Sequence, residues 1–312
     1  MSSTLSSETS VSDSTLRLRV LAAFAAIYLI WGSTYLGIRI AIDTLPPLLT
    51  AGLRFIIAGP LLYAWARRSG APRPTGIQWR AAAIVGGLLL LGGNGFVTWG
   101  EQRVPSGLAA LLVATVPLWM VLFDWLFLHG ERPAGKVFLG LVLGLIGIVL
   151  LIGPTDLLGE HRVDLIGVAM TLLAALSWAV GSLYARRAPL PDVPLLGTGM
   201  EMIAGGVLLL LASGAKGEWA QIDFASVSQR SWLALGYLTL MGSIIAFTAY
   251  TWLLRVSTPA RVATYAYVNP VVAVVLGWAI GGEVLTGQML LAAAIIILAV
   301  VVITAGRAKK SS

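Results

Sequence analysis

The sequence predicts an all-α membrane protein with ten transmembrane helices, built from two inverted five-helix repeats. Three observations support this prediction: an apolar composition, ten successive apolar segments, and matched residues in the two halves. Hydrophobic residues make up 58% of the chain and charged residues only 11%, and the mean hydropathy is +0.88. A soluble domain needs roughly 25% charged residues to cover its surface. Most of this surface is therefore expected to face lipid.

Ten segments are long and apolar enough to cross a hydrocarbon core of about 30 Å, which takes about 20 helical residues. They span 20–42, 46–66, 79–100, 105–128, 134–153, 163–185, 195–213, 231–254, 260–281 and 287–306. Short connections with turn residues, such as Pro46-Pro47, separate them. The Ser/Thr-rich residues 1–19 precede the first segment and predict a disordered tail. The expected domains are this tail, a first repeat at 20–153 and an inverted second repeat at 163–306.

The two halves share residues at nearly constant spacing. The matched pairs are Trp31 and Trp178, Arg39 and Arg186, Gly52 and Gly199, Gly59 and Gly206, Pro117 and Pro270, Trp125 and Trp278, and Gly130-Glu131 and Gly282-Glu283. Because five is odd, the second repeat enters the membrane in the opposite sense to the first. Inverted repeats are typical of secondary transporters, which bind substrate near the midplane between the halves.

The distribution of Lys and Arg predicts the orientation, since these residues concentrate in cytoplasmic loops. With the N-terminus inside, the cytoplasmic side holds fifteen of the 21 basic residues, namely Arg17, Arg19, Arg67, Arg68, Arg73, Arg80, Arg132, Lys136, Arg186, Arg187, Arg255, Arg261, Arg307, Lys309 and Lys310. Five lie on the far side and Arg54 lies within a helix. We therefore expect a multi-pass protein of the cell (inner) membrane with both termini in the cytoplasm.

The motifs of the first four helices resemble a known transporter family. Trp31-Gly32-Ser33-Thr34-Tyr35 is similar to the first-helix signature of the EamA-type drug/metabolite transporter superfamily, and Gly93-Asn94-Gly95, Glu101 and Pro105-Ser106-Gly107 resemble its third and fourth helices. The resemblance extends over 20–306 and is strongest to bacterial inner-membrane exporters of the YddG and YedA type. It implies a ten-helix fold, a central cavity between the halves, and export of amino acids or related metabolites.

Aromatic residues deep in their spans are the first candidates for substrate binding. Trp31 and Tyr35 share one face of the first helix because they are four residues apart. Trp178 occupies the matched place in the second half, and Tyr265 lies in the ninth segment. Such rings suit apolar side chains and, through cation–π attraction, organic cations. The alternative is that they pack between helices or form an interfacial belt.

Polar and charged residues within the spans are the second set of candidates. Asn94 lies in a Gly-rich stretch and Asn269 precedes Pro270, so each is predicted either to contact substrate or to form an interhelical hydrogen bond. Arg54 and Glu201 occupy matched positions, and ionisable residues inside a membrane are costly enough to indicate function. We expect a role in the transport path or in charge coupling, and a direct ion pair between them is compatible with this role. The alternative is that each side chain extends towards the membrane surface or pairs with a nearby polar group.

Several classes of function are disfavoured by what the sequence lacks. It has no Cys, and its two histidines lie in predicted loops, so we expect no metal site, no cofactor and no enzyme activity. The basic residues fit orientation signals better than nucleic-acid binding. The expected partners are a small-molecule substrate and the lipid bilayer. The spacing Gly140-x-x-x-Gly144 predicts close helix packing, within the chain or at a homodimer surface.

These observations lead to one main functional hypothesis and two alternatives. The main hypothesis is export of amino acids, aromatic or otherwise neutral, by alternating access through a central cavity. Efflux of aromatic or cationic drugs is the alternative within transport. A lipid scramblase or an intramembrane enzyme is the alternative outside it, and the sequence shows no nucleophile or metal site for an enzyme.

Overall fold

The computed structural model describes residues 5–127, 135–152, 164–257 and 264–308, with the single positions 132 and 262. All regular structure in these residues is helical. The main helices, numbered here in chain order, are α1 Leu5–Ala41, α2 Pro47–Arg68, α3 Gly76–Gly86 continued by Gly87–Gly95 and Phe96–Gly100, α4 Ser106–Val113 followed by Val116–Phe127, α5 Gly135–Ile152, α6 Leu165–Ala185, α7 Pro194–Ala215, α8 Gln229–Tyr237 continued by Leu238–Ile245 and Ala246–Val256, α9 Tyr265–Ala279 and α10 Gly287–Ala308. A one-turn helix, Glu218–Gln221, follows α7.

The described chain is an all-helical membrane protein. Seven of its helices, α1 to α4 and α6 to α8, are long and apolar enough to cross a membrane. Three shorter apolar helices, α5, α9 and α10, complete the set. Each predicted segment therefore corresponds to an apolar helix. Residues 258–261 and 263, at the start of the predicted ninth segment, lie outside the described residues.

Helix α1 extends beyond its apolar span at the N-terminal end. Helix α1 begins at Leu5, within the stretch 1–19 for which the sequence predicts a disordered tail, and its apolar span begins at Thr15. Once the apolar span is helical, each further residue adds a backbone hydrogen bond without a new nucleation step. The helix therefore extends into the Ser/Thr-rich residues. Residues 1–4 lie outside the described part of the chain.

Glycines bring α2 and α7 into backbone contact. A Cβ at Gly59 would lie 2.7 Å from the Ile203 nitrogen, and one at Gly199 would lie 2.7 Å from the Tyr63 nitrogen. A Cβ at Gly206 would likewise come within 2.8 Å of a backbone nitrogen of α2. Small residues at a crossing let the main chains of two membrane helices touch. The matched glycines found in the sequence thus lie at one interface between the halves.

Two π-helical segments interrupt α3 and α8. Gly87–Gly95 lies within α3 and Leu238–Ile245 lies within α8. π-Helical turns are rare and occur frequently at functional sites. Each contains a glycine followed by a small polar residue, Gly93-Asn94 in α3 and Gly242-Ser243 in α8. The Asn94 side chain donates to the Leu89 carbonyl at 3.4 Å, and the Ser243 hydroxyl donates to the Leu238 carbonyl at 3.3 Å, so both polar side chains reach back five residues.

The small-residue face of α5 packs within the chain. A Cβ at Gly140 would lie 2.7 Å from Ile303 of α10, and one at Gly144 would lie 2.4 Å from Leu118 of α4. This confirms the prediction of close helix packing. Because neighbouring helices of the same chain cover this face, the spacing gives no support to the predicted homodimer surface.

Candidate functional site

Four aromatic side chains from three helices meet around Trp31. This aromatic cluster consists of Trp31 on α1, Phe247 and Tyr250 on α8, and Tyr265 on α9. The Trp31 ring centroid lies 5.1 Å from Phe247, 5.2 Å from Tyr250 and 5.1 Å from Tyr265. The tilted and edge-to-face geometries place positive ring edges against negative ring faces. All four side chains are half-buried, so each keeps surface that the helices do not cover.

Trp31 is anchored to the π-helical segment of α8. Its indole nitrogen donates a hydrogen bond to the backbone carbonyl of Gly242 at 3.1 Å. Thr34, one turn further along α1, packs against the same glycine, because a Cβ at Gly242 would lie 3.1 Å from the Thr34 methyl carbon. Gly242 is therefore the point where α1 and α8 meet beside the aromatic cluster.

Arg54 lies at this same junction. Its Nε donates to the Ser243 hydroxyl at 2.6 Å, and a Cβ at Gly242 would lie 2.9 Å from its Nη2. The residue is only 6% exposed, and no carboxylate in the described part of the chain forms an ion pair with it. A guanidinium inside a membrane protein is costly without an anionic partner. Among the described residues, the Ser243 hydroxyl is the acceptor for this guanidinium, through Nε.

Glu201 approaches the aromatic cluster from α7. Its side chain is half-buried and interacts electrostatically with Tyr250, and its carboxylate makes no hydrogen bond with a described residue. Its backbone carbonyl packs against Gly86, where a Cβ would lie only 2.4 Å away. Arg54 and Glu201 do not form the ion pair that their matched positions allowed, since Arg54 bonds Ser243 instead. Arg54 and Glu201 therefore lie near the aromatic cluster on different helices, without an ion pair between them.

Trp178 and Asn94 come together at the π-helical segment of α3. A Cβ at Gly93, the neighbour of Asn94, would lie 2.7 Å from the Trp178 ring. The Ser177 hydroxyl donates to the Leu88 carbonyl at 2.7 Å and fixes α6 against the same segment. Among the described residues no ring contact joins Trp178 to the aromatic cluster. The matched tryptophans thus each contact the π-helical segment of the other half, Trp31 on α8 and Trp178 on α3.

Asn269 and Tyr35, the last two residues that the sequence predicted as substrate contacts, lie at the edge of the aromatic cluster. With its amide oriented to donate, Asn269 bonds the backbone carbonyls of Tyr28 at 3.2 Å and Tyr265 at 3.3 Å, which links α1 to α9. This is the interhelical alternative of the prediction for Asn269. Tyr35 packs between two apolar clusters and interacts electrostatically with both Tyr265 and Glu101. It therefore lies between the aromatic cluster and the end of α3.

Comparison with known proteins gives the family. The sequence profile of the EamA-like transporter family matches residues 18–153 and again residues 165–305. The chain belongs to the EamA-like transporter family. It is 44% identical over 291 residues to the "uncharacterized inner membrane transporter YedA" of Escherichia coli K12, covering 93% of this chain and 92% of the relative. It is also 29% identical over 281 residues to a "probable amino-acid metabolite efflux pump" of Salmonella typhimurium, covering 85% and 87% of the two chains.

A solved crystal structure shares the fold of this EamA-family chain. The superposition has a TM-score of 0.61 and covers 92% of this chain and 97% of the other, at 24% sequence identity. Membership of the family makes the protein a membrane transporter and not an enzyme, and it confirms the resemblance seen in the sequence. A small-molecule substrate and the lipid bilayer follow as partners. The family's name does not identify the substrate.

The sequence analysis missed four residues of this EamA site. Phe247 completes the aromatic cluster, Gly242 and Ser243 hold Trp31 and Arg54, and Glu101 lies beyond Tyr35. One signal was present: Gly242-Ser243 falls 149 residues after Gly93-Asn94, a spacing close to that of the other matched pairs. Applying the repeat to this pair would have predicted the α8 segment.

Proposed function

We propose that this chain exports amino acids or related small metabolites by alternating access, through a central cavity between its halves. The observation that carries the proposal is the aromatic cluster, with one basic and one acidic side chain near it. Arg54 bonds Ser243 at the junction beside Trp31, and Glu201 interacts electrostatically with Tyr250. An amino acid presents one carboxylate, one ammonium group and a side chain. Arg54 is suited to the carboxylate, since guanidinium binds carboxylates with two parallel hydrogen bonds. Glu201 suits the ammonium group, and the rings suit the side chain.

The six sequence candidates divide into two groups in this proposal. Trp31, Tyr35 and Tyr265 contact or approach substrate at the aromatic cluster. Trp178 and Asn94 form the equivalent surface at the π-helical segment of α3. Asn269 positions Tyr265 against α1 through its backbone bonds.

The architecture that we propose for this function has ten membrane crossings, arranged as two inverted five-helix repeats. The matched contacts of Trp31 on Gly242 and of Trp178 on Gly93 support it, because an inverted pair of halves generates such exchanged contacts. Both termini then lie in the cytoplasm. The relative YedA is named as an inner-membrane transporter, and we propose the same membrane for this chain.

Counterflow of radiolabelled amino acids in proteoliposomes tests the function. Purified protein reconstituted with unlabelled amino acid inside should accumulate the same labelled amino acid transiently, and empty liposomes should not. The panel should include aromatic and aliphatic amino acids, their amides and their decarboxylated amines. If Arg54 binds the carboxylate, the free acids are transported and the corresponding amines are not. Absence of counterflow for the whole panel would contradict the proposal.

Efflux of aromatic or cationic compounds is a second candidate function. The observation that favours it is the electrostatic interaction of Glu201, a carboxylate without an ion-pair partner in the described residues, with Tyr250. Aromatic rings with one acid attract organic cations. A cationic dye that competes with the labelled amino acid, and is itself transported, would favour this candidate. A dye without effect on counterflow would favour amino acids.

A further inference from the structure

Glu101 is a fully buried acid without a partner for its carboxyl group. It lies in the turn that joins α3 to α4, outside both helices, and its exposed fraction is 0%. Neither of its carboxyl oxygens has a hydrogen-bond partner among the described residues. Because a dry, unpaired carboxylate is very costly, the carboxyl group is neutral in this conformation. A neutral acid has bound a proton.

The charged and titratable groups around Glu101 reinforce this conclusion. Tyr35 and Arg39 face it from α1, and Glu283 faces it from the turn before α10. Arg39 donates to the backbone carbonyl of Glu101 at 2.5 Å and forms no ion pair with its carboxyl group. In the same turn Arg103 pairs with Asp164. Burial first, and the Glu283 carboxylate second, raise the pKa of Glu101 well above its usual value, against a smaller opposing effect of Arg39.

The Glu283 carboxylate is hydrogen-bonded to the start of α4. Its carboxylate accepts from the Ser106 nitrogen at 2.7 Å, the Ser106 hydroxyl at 2.6 Å and the Gly107 nitrogen at 3.0 Å. These donors lie at the positive end of a helix, where a carboxylate is favourably placed. A second charge on Glu101 beside it would be repelled. The negative neighbour therefore favours the protonated form of Glu101.

The surroundings of Glu101 come from both family-matched segments. Arg39, Glu101 and Ser106 belong to the first, 18–153, and Glu283 belongs to the second, 165–305. Leu36 of α1 packs against Gly281 of the same turn as Glu283, where a Cβ would lie 3.0 Å from the Leu36 side chain. Parting of the two segments at this end would separate the turn from α1 and α4, and water would reach Glu101. The protein end concerned is the predicted outer one.

We propose that Glu101 is a proton-binding site and that the outer entrance of the transporter closes only when this site holds a proton. On closure the carboxylate takes one proton from the outer solution and becomes the neutral acid; on opening, the O–H bond breaks and the proton returns to water. The purpose of this site rests on the proposed transport function, but its test does not.

The pH dependence follows from the two states of the carboxyl group. In the open state the group is hydrated and keeps its ordinary pKa of 4.5, whereas burial raises that pKa in the closed state. Above the ordinary value, closure requires proton uptake. Each pH unit then lowers the ratio of closed to open protein about tenfold, until the raised pKa is passed. Acid therefore closes the entrance and alkali opens it.

A single cysteine introduced at position 36 reports the entrance without any substrate. The chain has no native Cys, and Leu36 is 6% exposed in the closed structure. We expect Leu36→Cys to react with an impermeant thiol reagent slowly at about pH 5 and increasingly fast towards about pH 9. Ordinary carboxyls stay ionised throughout this pH range. The rates are corrected for the pH dependence of the reagent itself, measured with an exposed Cys. Adding Glu101→Gln, a permanent mimic of the neutral acid, should leave the reaction slow at every pH. The proposal would be overturned if the thiol reactivity of Leu36→Cys with native Glu101 did not change with pH. It would also be overturned if that reactivity still changed with pH after Glu101→Gln was added.

Glu218→Gln is the matched control. Glu218 is also a buried acid, 4% exposed. One carboxyl oxygen makes no hydrogen bond but lies 3.7 Å from the Lys216 ammonium, and the other accepts from the Leu49 nitrogen and the Ser213 hydroxyl at 2.9 Å each. Its variant should keep the wild-type pH profile. If Glu101→Gln does not fold, Glu101→Asp retains a titratable group on a shorter arm and should displace the profile, and an unchanged profile would count against the site.

Transport measurements separate this inference from the proposed function. If no amino acid shows counterflow but the thiol of the Leu36→Cys variant responds to pH through Glu101, the substrate proposal fails and the proton site stands. If counterflow occurs and the reactivity of that thiol is indifferent to pH, the proton site fails and the substrate proposal stands. If both stand, wild-type counterflow should slow as the outer pH rises, and Glu101→Gln should remove that dependence.

Discussion

Trp31 connects more of the candidate site than any other single side chain, through three ring contacts and one hydrogen bond to Gly242. We predict that Trp31→Ala and Trp178→Ala each impair transport while folded protein remains in the membrane. Loss of a ring that stacks on substrate should remove about 1–2 kcal/mol, or roughly 5- to 30-fold in affinity. Concentration-dependent counterflow measures this loss. Trp278→Ala is the control, since Trp278 is 58% exposed on the helix surface, and it should behave as wild type. Unchanged affinity in both site variants would identify Trp31 and Trp178 as packing residues.

The guanidinium of Arg54 makes a prediction about residue type. Arg54→Lys keeps the charge but should not restore transport, because a lysine ammonium cannot bond Ser243 and present two parallel donors to a carboxylate together. Arg54→Gln should lose transport of free amino acids to a similar extent. Initial rates for the acid panel are the measurement. Full activity of Arg54→Lys would show that only the charge at this position matters.

Glu201 and Asp124 allow a matched comparison of two acids. Glu201→Gln should alter transport, or its pH dependence, more than Asp124→Asn, because Glu201 interacts electrostatically with Tyr250 of the aromatic cluster. Initial rates between about pH 5 and about pH 8 are the measurement, a range in which surface carboxylates remain ionised. Equal profiles for the two variants would remove Glu201 from the transport path.

At the residue scale the sequence predicted side-chain types better than side-chain partners. Trp31 and Tyr265 were predicted as cavity or packing residues, and the structure brings their rings into contact. A nearby polar partner for Arg54 was one alternative from the sequence, but its identity as Ser243 was not predicted, since it depends on the π-helical register of α8. The unpartnered state of Glu101 depends on the packing of three segments distant in sequence, and no local pattern encodes it.

The π-helical segment of α8 is the element on which the site depends. A Cβ at Gly242 would lie 2.9 Å from Nη2 and 3.6 Å from Cζ of Arg54, at the far end of a flexible side chain, and 3.1 Å from the methyl carbon of Thr34. We predict that Gly242→Ala folds but displaces the guanidinium and lowers transport strongly. Gly236→Ala in the same helix meets no atom within 4 Å and should transport normally. Melting temperatures and counterflow rates, measured on both variants, separate loss of fold from loss of site. Equal transport by the two alanine variants would contradict the assignment.

Asp164 stabilises the start of α6. Its carboxylate accepts from the backbone nitrogens of Ile166 and Gly167, and it pairs with Arg103 at 2.9 Å. The bond from Gly167 first, and that from Arg103 second, lower the pKa of Asp164 below the ordinary 3.8. This stabilisation is thus present above pH 3.8 and is lost as the pH falls through the lowered value.

Replacement of Asp164 should separate its two contributions. Asp164→Ala should cost about 0.5–2 kcal/mol as the loss of a helix cap. Asp164→Asn keeps a capping oxygen but loses the charge, and it should cost less, since exposed ion pairs contribute little. Thermal unfolding in detergent at neutral pH measures both. An alanine variant as stable as wild type would show that the cap is dispensable.

At the scale of the whole molecule, orientation is the prediction most directly testable in cells. In this Cys-free chain, Lys310→Cys should be protected from an impermeant thiol reagent in intact cells, and Phe224→Cys should react. Phe224 is 59% exposed in the connection between α7 and α8, which we place outside. The reason is the excess of Lys and Arg on the predicted cytoplasmic side. Reaction at position 310 would reverse the topology.

The positions of the apolar helices could be predicted from composition and length alone, because a helix satisfies its own backbone hydrogen bonds within lipid. Which helices pack against each other could not be predicted in this way. The sequence showed that Gly59 and Gly206 are matched, but only the structure shows that α2 and α7 meet through them. Helix α1 begins at Leu5, in a polar Ser/Thr stretch that carries no hydrophobic period from which a helix is predicted.

The glycine contact between α2 and α7 limits how the two halves can move. Where main chains touch at Gly59, Gly199 and Gly206, no flexible side chains lie between them to absorb a sliding displacement. Translation along the helix axes would drive these glycines against the bulkier Tyr63 or Ile203. The contact extends along both helices, from Gly52 beside Leu210 to Gly199 beside Tyr63. We therefore expect α2 and α7 to move as one rigid unit, and displacements during transport to occur in the helices packed around this pair.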